Sequence, residues 1–367
     1  MTARWTHTAL AQQLVFGAGS LDRLPEVIKV LAVRKALLVT TEGRLSSPDG
    51  ERVERLLGRT LASTFAEVQS HVPVPLVQQA VLQARRDGID VVVSFGGGSC
   101  ADLAKAVCFF IEQEAGMPGA SHVDRPVVPH ISIPTTYSGA ELTPFFGMTD
   151  PATKQKQGAG GPTSAPVVAI YDPDLTTSTP ARVRAETGMN ALAHCVEAAY
   201  SPFRTPEAEA IALAGVRLIH TALPPVVRDG YDADARSEML AGAALAGRCL
   251  LNAGMGVHHG LAQLVGGRTG IPHGLANAIL LSHAVAFNTE AVPQEVARIG
   301  AALGGDAVPA IDALRAQVGL PGRLSEAGVT EDDLEAIARL SQANANVARN
   351  PRPVSEDDAL AILRAAW

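Results

Sequence analysis

The change in hydrophobic patterning near residues 172–180 constrains the fold of this 367-residue chain most strongly. Before it, apolar runs of strand length alternate with amphipathic segments of helix length, which predicts a mostly parallel sheet covered by helices on both faces. Residues 89–95 (IDVVVSF) form the strongest strand because β-branched side chains dominate them. After Pro180 only helix-length segments remain, separated by Pro, Gly or Asp. The sequence therefore predicts an α/β domain over residues 1–176 and an all-α domain over residues 177–367.

The composition argues against several classes of function. A net charge of −7 gives no basic surface for nucleic acid, and aromatic residues make up only 4% of the chain. We find no uninterrupted apolar run long enough to span a membrane, and the first residues lack the apolar core of a signal peptide. The four cysteines form no CxxC pair, which is typical of reduced thiols. We therefore expect a cytoplasmic enzyme that binds neither nucleic acid nor a membrane.

A glycine-rich turn follows the strongest strand and consists of Gly96, Gly97, Gly98 and Ser99. Such a turn lets the backbone approach a ligand closely, and the helix that follows presents free N–H groups to an anion such as a pyrophosphate. Asp102 and Lys105 lie one helical turn apart on the same face and favour a functional role. A plain tight turn is the alternative, because the match to G-x-G-x-x-A alone is weak and no suitable acid follows about 20 residues later.

A second polar loop follows the apolar run 126–133 and contains Thr135, Thr136 and Tyr137. In a parallel sheet it should emerge at the same carboxyl edge as the glycine turn. The two threonine hydroxyls can serve a nucleotide or merely cap a helix, and the sequence leaves both readings open. Lys154 and Lys156 lie in the return of a predicted hairpin, where either is solvated by default or reaches a phosphate.

Histidines concentrate in the helical half. His258, His259, His273 and His283 lie within residues 258–283, on a predicted helix, a glycine-rich turn and a second helix opened by Pro272. Upstream, Asn190, His194 and Glu197 fall at helical positions i, i+4 and i+7 and form one polar stripe on an apolar helix. A buried polar stripe needs partners, either from neighbouring helices or from a ligand. We favour a site for a metal or an anionic substrate over ordinary buried histidines.

The segments GGGSCADLAKA, IPTTYSGAE, NALAHCVEAAY and HHGLAQLVGGRTGIPHGLANAILLSHAVAFN resemble, in this order, the signatures of the iron-containing (group III) alcohol dehydrogenase family. The resemblance covers most of the chain. It implies a Rossmann-like dinucleotide-binding domain, a helical domain, a cleft between them, a homodimer, and NADH or NADPH as cofactor. The dinucleotide-binding residues that it implies are Gly96, Gly97, Gly98, Ser99, Asp102, Thr135, Thr136 and Lys154.

The residues that follow the predicted strand 35–40 do not decide between NADH and NADPH. NAD-preferring relatives carry an Asp near the adenine ribose, and the matching position here is Thr41, followed by Glu42. Thr41 cannot repel a 2′-phosphate, whereas Glu42 beside it could do so.

The sequence departs from the family at the metal site. The family's Asp and three His ligands fall on Asn190, His194, His259 and His273. The amide of Asn190 removes the only anionic ligand, although three imidazoles could still hold zinc or iron. We therefore expect the metal to be dispensable. Gln263 stands where many relatives carry a histidine, which leaves any proton relay assigned to that histidine in doubt.

Finer matches over residues 13–26, 133–149, 169–176 and 187–198 are similar to a subgroup of this family that reduces an unsaturated keto-dicarboxylate in the bacterial degradation of aromatic compounds. Reduction of a C=C conjugated to a ketone produces a delocalised enolate, so a strong Lewis acid is less necessary. The expected catalytic residues are His194, His259, His273, His258, Asn190 and Tyr137. We expect the first three to bind the dianion and stabilise the enolate. His258 or Tyr137 would assist proton delivery, and Asn190 would orient the cluster or the nicotinamide.

Three alternatives remain from the sequence. A metal-dependent alcohol or lactaldehyde-type dehydrogenase would lose activity to a chelator. A lyase similar to dehydroquinate synthase would need lysines and arginines in the helical half, but residues 181–367 contain no lysine. A non-catalytic dinucleotide-binding protein would bind cofactor without turnover, and the histidine cluster argues against it.

Overall fold

The computed structural model describes residues 5–7, 9–116, 126–152 and 155–367. These residues divide into two compact units, Ala9–Thr179 and Pro180–Trp367, and residues 5–7 group with the second unit. The division lies slightly beyond the predicted boundary at residues 176–177, within the same proline-containing segment. Residues 5–7 join the helical unit because the His7 ring lies 3.4 Å from Thr205 Oγ1 and 3.2 Å from a Glu207 carboxylate oxygen.

The strands of the first unit are β1 (Gln13–Phe16), β2 (Ala36–Val39), β3 (Leu61–Phe65), β4 (Val91–Gly96), β5 (His130–Pro134), β6 (Phe145–Asp150), β7 (Gln155–Gly160) and β8 (Val168–Tyr171). Six of them form a parallel sheet in the order β1-β8-β5-β4-β2-β3, and β6 and β7 form an antiparallel hairpin. The helices of this unit are α1 (Leu24–Leu31), α2 (Glu42–Leu45), α3 (Pro48–Leu57), α4 (Val74–Asp87) and α5 (Gly98–Glu114). The predicted α/β fold is confirmed.

The two faces of the sheet pack into separate cores. Successive side chains of a strand point to opposite faces, so Leu37 and Val92 enter one core while Leu38 and Val93 enter the other. Both faces are therefore apolar, which explains why these strands read as continuous hydrophobic runs rather than alternating ones.

The carboxyl ends of β4 and β5 bring the two predicted loops together. Gly96 pairs with Pro134 in the sheet, and the backbone N–H of Thr135 donates to the carbonyl of Gly96 at 2.9 Å. The glycine turn and the threonine loop therefore leave the sheet side by side, as the alternation of strands and helices predicts.

The second unit is helical, as predicted. Its helices are α6 (Ala181–Tyr200), α7 (Pro206–Arg228), α8 (Ala233–Ala253), α9 (Val257–Thr269), α10 (His273–Asn288), α11 (Pro293–Leu303), α12 (Ala307–Gln317), α13 (Glu331–Ser341) and α14 (Glu356–Ala365). Helix α6 is buried over almost its whole length and packs against α7, α8 and α10. Close packing requires small residues: a β-carbon on Gly274 would lie 2.6 Å from the carbonyl oxygen of Glu186.

Helix α7 differs from its sequence-based prediction. The pattern predicts an end at Ala222 before two prolines, but the helix continues through Pro224 and Pro225 to Arg228, with Val226 buried. It also has the length and mean hydropathy of a membrane span, which the sequence analysis did not expect. One face of the helix is buried, and the helix packs against α6 and α8 of the same unit.

Candidate active site

Helices α6, α9 and α10 bring three predicted site histidines together. The rings of His194 and His259 stack with centroids 4.6 Å apart and planes inclined by 21°. The ring of His273, at the first position of α10, lies 6.2 Å from that of His259. His194 and His259 are buried, whereas His273 is partly exposed. The cluster therefore has one imidazole that solutes can reach and two in a protected interior.

The side chain of Glu197 fixes this arrangement from behind. One carboxylate oxygen accepts the backbone N–H groups of Gly256 and His258 at 3.0 and 3.1 Å. The other accepts the backbone N–H of His259 at 3.3 Å and lies 2.5 Å from its ring Nδ1. Glu197 thus caps the N-terminus of α9, where a negative charge is favourable. It also turns Nδ1 of His259 toward α6 and puts Nε2 on the opposite side of the ring.

Glu197 stays ionised although it is completely buried. Burial alone would raise the pKa of this carboxyl, but hydrogen bonds and the nearby rings of His258 and His259 outweigh it and hold the pKa well below its usual range. The structure therefore places a fixed negative charge directly behind the imidazole of His259. The sequence stripe contained Glu197, but only the three-dimensional contacts identify it as a partner of α9.

His258 lies deeper than His259. Its Nε2 lies 2.9 Å from the carbonyl oxygen of Asn277 on α10, and its Nδ1 lies 3.2 Å from Nδ1 of His259. The ring is fully buried, so both nitrogens face protein groups. These contacts brace α9 against α10, and the predicted role of His258 in proton delivery stays a prediction.

Two polar atoms beside the cluster lack a hydrogen-bond partner among the described residues. They are Oδ1 of Asn190 and Nδ1 of His194, both on α6 and both buried. An unsatisfied buried polar atom costs about 1–3 kcal/mol, so these two favour a site completed by a polar ligand. Burial and the neighbouring His259 lower the pKa of His194 well below its usual value, and this ring is therefore neutral.

The donor set at the predicted metal position is uncharged, although three imidazoles can still hold a zinc ion. Asn190, His194, His259 and His273 together offer an amide and three imidazoles, with no anionic ligand. In the described chain, Glu197, His258 and His259 bring possible ligand atoms within 4.8 Å of one another. Glu197 already accepts hydrogen bonds at both oxygens, and His258 contacts Asn277. This second group is therefore a closed hydrogen-bonded cluster.

In the first unit, the glycine turn fits closely against the threonine loop. Gly96 has φ +147°, and a β-carbon there would lie 2.6 Å from Cys100 Sγ. A β-carbon on Gly97 would lie 3.2 Å from Thr136 Cγ2. Gly97 also stands at the N-cap of α5 without a capping side chain, so the first N–H groups of the helix are available to an anion.

The hydroxyls of Thr135 and Thr136 are buried, and in the described structure neither has a hydrogen-bond partner. Thr136 lies directly against Gly97, at the start of α5. Unpaired hydroxyls at a helix N-terminus are the donors that a nucleotide phosphate or amide would use. Ser99 occupies the first turn of the same helix. These residues keep their predicted cofactor-binding role as a prediction.

Asp102 and Lys105 have a structural role that the sequence did not reveal. Asp102 accepts the backbone N–H of Gly147 at 3.3 Å and lies 2.9 Å from the Lys105 ammonium. Lys105 is fully buried and donates to the carbonyl oxygens of Ala140 and Phe145. The pair therefore fastens the segment between β5 and β6 to helix α5.

The contacts and burial of the remaining predicted residues leave their functions untested. Thr41 caps the short helix α2 by accepting the backbone N–H of Arg44 at 3.3 Å, and Glu42 is exposed. Tyr137 is fully buried in the first unit. Lys154 lies outside the described residues. Gln263 accepts a hydrogen bond from the Asn346 amide at 3.2 Å. The predicted functions of Thr41, Glu42, Tyr137 and Lys154 stay predictions.

Comparisons with known proteins identify the same family over both units. The profile described as iron-containing alcohol dehydrogenase matches residues 11–173, and that described as the C-terminal part of the Fe-containing alcohol dehydrogenase family matches residues 184–367. Maleylacetate reductase from Rhizobium sp. (strain MTP-10005) is 36% identical, over 99% of this chain and 97% of its own length. Maleylacetate reductase from Burkholderia cepacia is also 36% identical, over 97% of this chain and 95% of its own.

Solved structures give the same result. The crystal structure of maleylacetate reductase from Agrobacterium tumefaciens superposes with a TM-score of 0.88 at 35% identity, covering 100% of this chain and 99% of that one. The structure of 1,3-propanediol oxidoreductase superposes with a TM-score of 0.93 at 30% identity, covering 99% of this chain and 100% of that one.

Proposed function

The chain belongs to the iron-containing alcohol dehydrogenase family, and we propose that it is an oxidoreductase that reduces the C=C of maleylacetate to 3-oxoadipate with NADH or NADPH. The histidine cluster carries this proposal: three imidazoles stand beside a neutral amide, with buried polar atoms that a ligand would satisfy. Likeness to maleylacetate reductases over nearly the whole chain supports it.

The substrate class follows from the chemistry of the cluster. Maleylacetate carries two carboxylates and a ketone conjugated to the C=C. Imidazole N–H groups bind carboxylate and developing enolate oxygens, and they act more strongly in a buried site than in water. We assign this binding to His194, His259 and His273, of which the partly exposed His273 meets the substrate first.

Each part of the chain has a distinct task in the reduction. When bound, the reduced dinucleotide supplies a hydride to the C=C. The imidazoles stabilise the negative charge that then spreads onto the ketone oxygen, and a proton completes the product. Nδ1 of His259 donates to the Glu197 carboxylate, which keeps the ring in one orientation, so Nε2 is the atom that faces the oxygen and donates to it when the ring is an imidazolium. Asn190 lies one helical turn before His194 and would orient the cluster or the nicotinamide.

We propose that this reaction needs no metal ion, because a delocalised enolate requires less stabilisation than an alkoxide and the donor set lacks an anionic ligand. We also propose a cytoplasmic homodimer that binds a small dicarboxylate and neither nucleic acid nor a membrane.

The test is NADH and NADPH oxidation with maleylacetate, measured with and without a strong chelator. Turnover that the chelator leaves unchanged supports both the substrate and the metal-independent mechanism. Turnover abolished by the chelator and restored by zinc or iron would contradict the metal-independent mechanism. Activity on simple alcohols with none on maleylacetate would contradict the substrate.

A second measurement tests the histidines directly. The substitution His259→Ala removes the central imidazole of the cluster and should lower kcat/KM for maleylacetate by at least about tenfold, or roughly 1.4 kcal/mol of transition-state stabilisation. His220→Ala changes a histidine of α7, outside the cluster, and serves as the control. Kinetics of His259→Ala near those of the control would remove His259 from the mechanism.

The alternative is a metal-dependent alcohol dehydrogenase. It is favoured by the fold similarity to 1,3-propanediol oxidoreductase. Its signature would be chelator-sensitive oxidation of a small alcohol with NAD or NADP.

A further inference from the structure

Arg44 occupies an unusual position at the end of strand β2. It lies in the short helix α2, and its guanidinium donates to Ser178 Oγ and to Thr179 Oγ1, both at 2.6 Å. Those hydroxyls follow strand β8, so the side chain reaches away from its own strand and across the edge of the sheet.

The contacts of Arg44 place its guanidinium near the glycine turn. Thr179 Oγ1, which accepts from Arg44, donates to the carbonyl of Thr135 at 2.7 Å. The N–H of Thr135 in turn donates to the carbonyl of Gly96 at 2.9 Å. In the strand order, β4 lies between β2, which precedes Arg44, and β5, which precedes Thr135, so these contacts bridge the two strands on either side of β4. The carboxyl end of β4 carries the glycine turn and the start of α5.

Electrostatic coupling agrees with this placement. Burial raises the pKa of the Cys100 thiol, in the first turn of α5, to about 12, and the positive charge of Arg44 offsets part of that rise. The guanidinium therefore acts on the first turn of the helix whose N–H groups face an anion.

The charge of Arg44 has no anionic partner at contact distance. Within the described chain, no carboxylate oxygen lies within 4.0 Å of its nitrogens, and both hydrogen-bond partners are neutral hydroxyls. The side chain is half-buried, and burial lowers the pKa of Arg44, although a guanidinium remains charged in proteins. The charge of Asp49 offsets part of that lowering, and its carboxylate accepts from Ser178 Oγ at 3.5 Å, but it does not reach contact distance of the guanidinium. An anion at contact distance would therefore complete the environment of this partly desolvated cation.

We propose that Arg44 is a ligand of a cofactor phosphate, either the pyrophosphate above the glycine turn or the 2′-phosphate of NADPH. Guanidinium groups bind phosphate through paired N–H groups, and here two N–H groups are already oriented by hydroxyls that a phosphate could displace or share. The inference rests on the proposed function only in that the ligand is a dinucleotide. It adds a specificity residue to the predicted Thr41 and Glu42 on the same segment.

The experiment measures dissociation constants of NADH, NADPH and ADP-ribose for the full-length protein by fluorescence or calorimetric titration. Arg44→Gln should weaken binding by about tenfold or more, and Arg44→Lys, which keeps a charge but loses the planar fork, should lie between it and the original protein. If Arg44→Gln weakens the binding of NADH and NADPH equally, Arg44 contacts the pyrophosphate. If the affinity for NADPH falls more than that for NADH, Arg44 contacts the 2′-phosphate.

Two control variants separate a phosphate contact from a structural one. Ser178→Ala removes a hydroxyl partner but keeps the charge, so it should change binding by less than about threefold. Arg55→Gln removes an exposed arginine paired with Glu51 on α3, and it should bind as the original protein does. Unchanged dinucleotide binding in Arg44→Gln, or an equal loss in Ser178→Ala, would overturn the proposal. Failure of the original protein to bind any dinucleotide would instead contradict the proposed function.

Discussion

Replacing Glu197 tests whether one buried carboxylate supports both the fold of the helical unit and its chemistry. This side chain is fully buried and accepts the N–H groups of Gly256, His258 and His259 as well as the imidazole of His259. Glu197→Ala leaves all of these donors unsatisfied at the N-terminus of α9. Glu197→Gln keeps the volume of the side chain and one oxygen acceptor. Its NH₂ group replaces the other oxygen and faces donors that it cannot accept from.

The magnitude follows from these contacts. Removing one partner of a buried charged network costs roughly 3–5 kcal/mol, which we expect for Glu197→Ala. For a unit the size of Pro180–Trp367, about 2–4 °C of melting temperature corresponds to each kcal/mol, so the shift should be about 6–20 °C. Glu197→Gln should cost about 2 kcal/mol, since one acceptor is lost and the others weaken.

The catalytic effect should exceed what lost stability explains. At a temperature where Glu197→Gln is fully folded, kcat/KM for maleylacetate should fall at least about tenfold because the ring of His259 is no longer held in one orientation. Glu112→Gln is the matched control: Glu112 is buried in the first unit and accepts from the N–H of Val127, without a histidine contact. Melting curves and NADH oxidation measure both effects. A Glu197→Gln protein with the kcat/KM of the control would refute the positioning role.

Three further predictions concern other parts of the molecule. Asn190→Asp restores an anionic ligand and should raise the zinc or iron retained after dialysis at least about tenfold; unchanged metal content would show that the amide does not set metal affinity. Burial lowers the pKa of His130 to about 3, so below its unfolded value of 6.5 only the unfolded chain gains the proton and stability falls with falling pH. The loss should reach about 2 kcal/mol at pH 5, and His130→Gln should flatten the decrease in melting temperature between pH 7 and pH 5. Gly274→Ala would place a β-carbon 2.6 Å from the Glu186 carbonyl oxygen, so it should cost about 1–3 kcal/mol and lower the melting temperature and kcat/KM together; an unchanged melting temperature would show that α6 and α10 can separate without cost.

The sequence by itself determined the fold class, because strand and helix patterns are local. β-Branched runs such as residues 89–95 and the helical spacing after Pro180 need no distant contact to be recognised. Parallel strands also place their carboxyl ends at one edge, so the meeting of Gly96 and Thr135 could be inferred before the structure was known. The stripe of Asn190 and His194 was visible for the same reason.

Tertiary structure decided which of these residues have partners. Glu197 could be seen as a polar position on α6, but its contacts with the N-terminus of α9 are made about 60 residues further along the chain. The contact of His258 with the Asn277 carbonyl and the reach of Arg44 to Thr179 are likewise long-range. A sequence pattern records which face of a helix or strand a residue occupies. The packing of helices and the order of strands determine which distant group completes a hydrogen bond there, and no local periodicity contains that information.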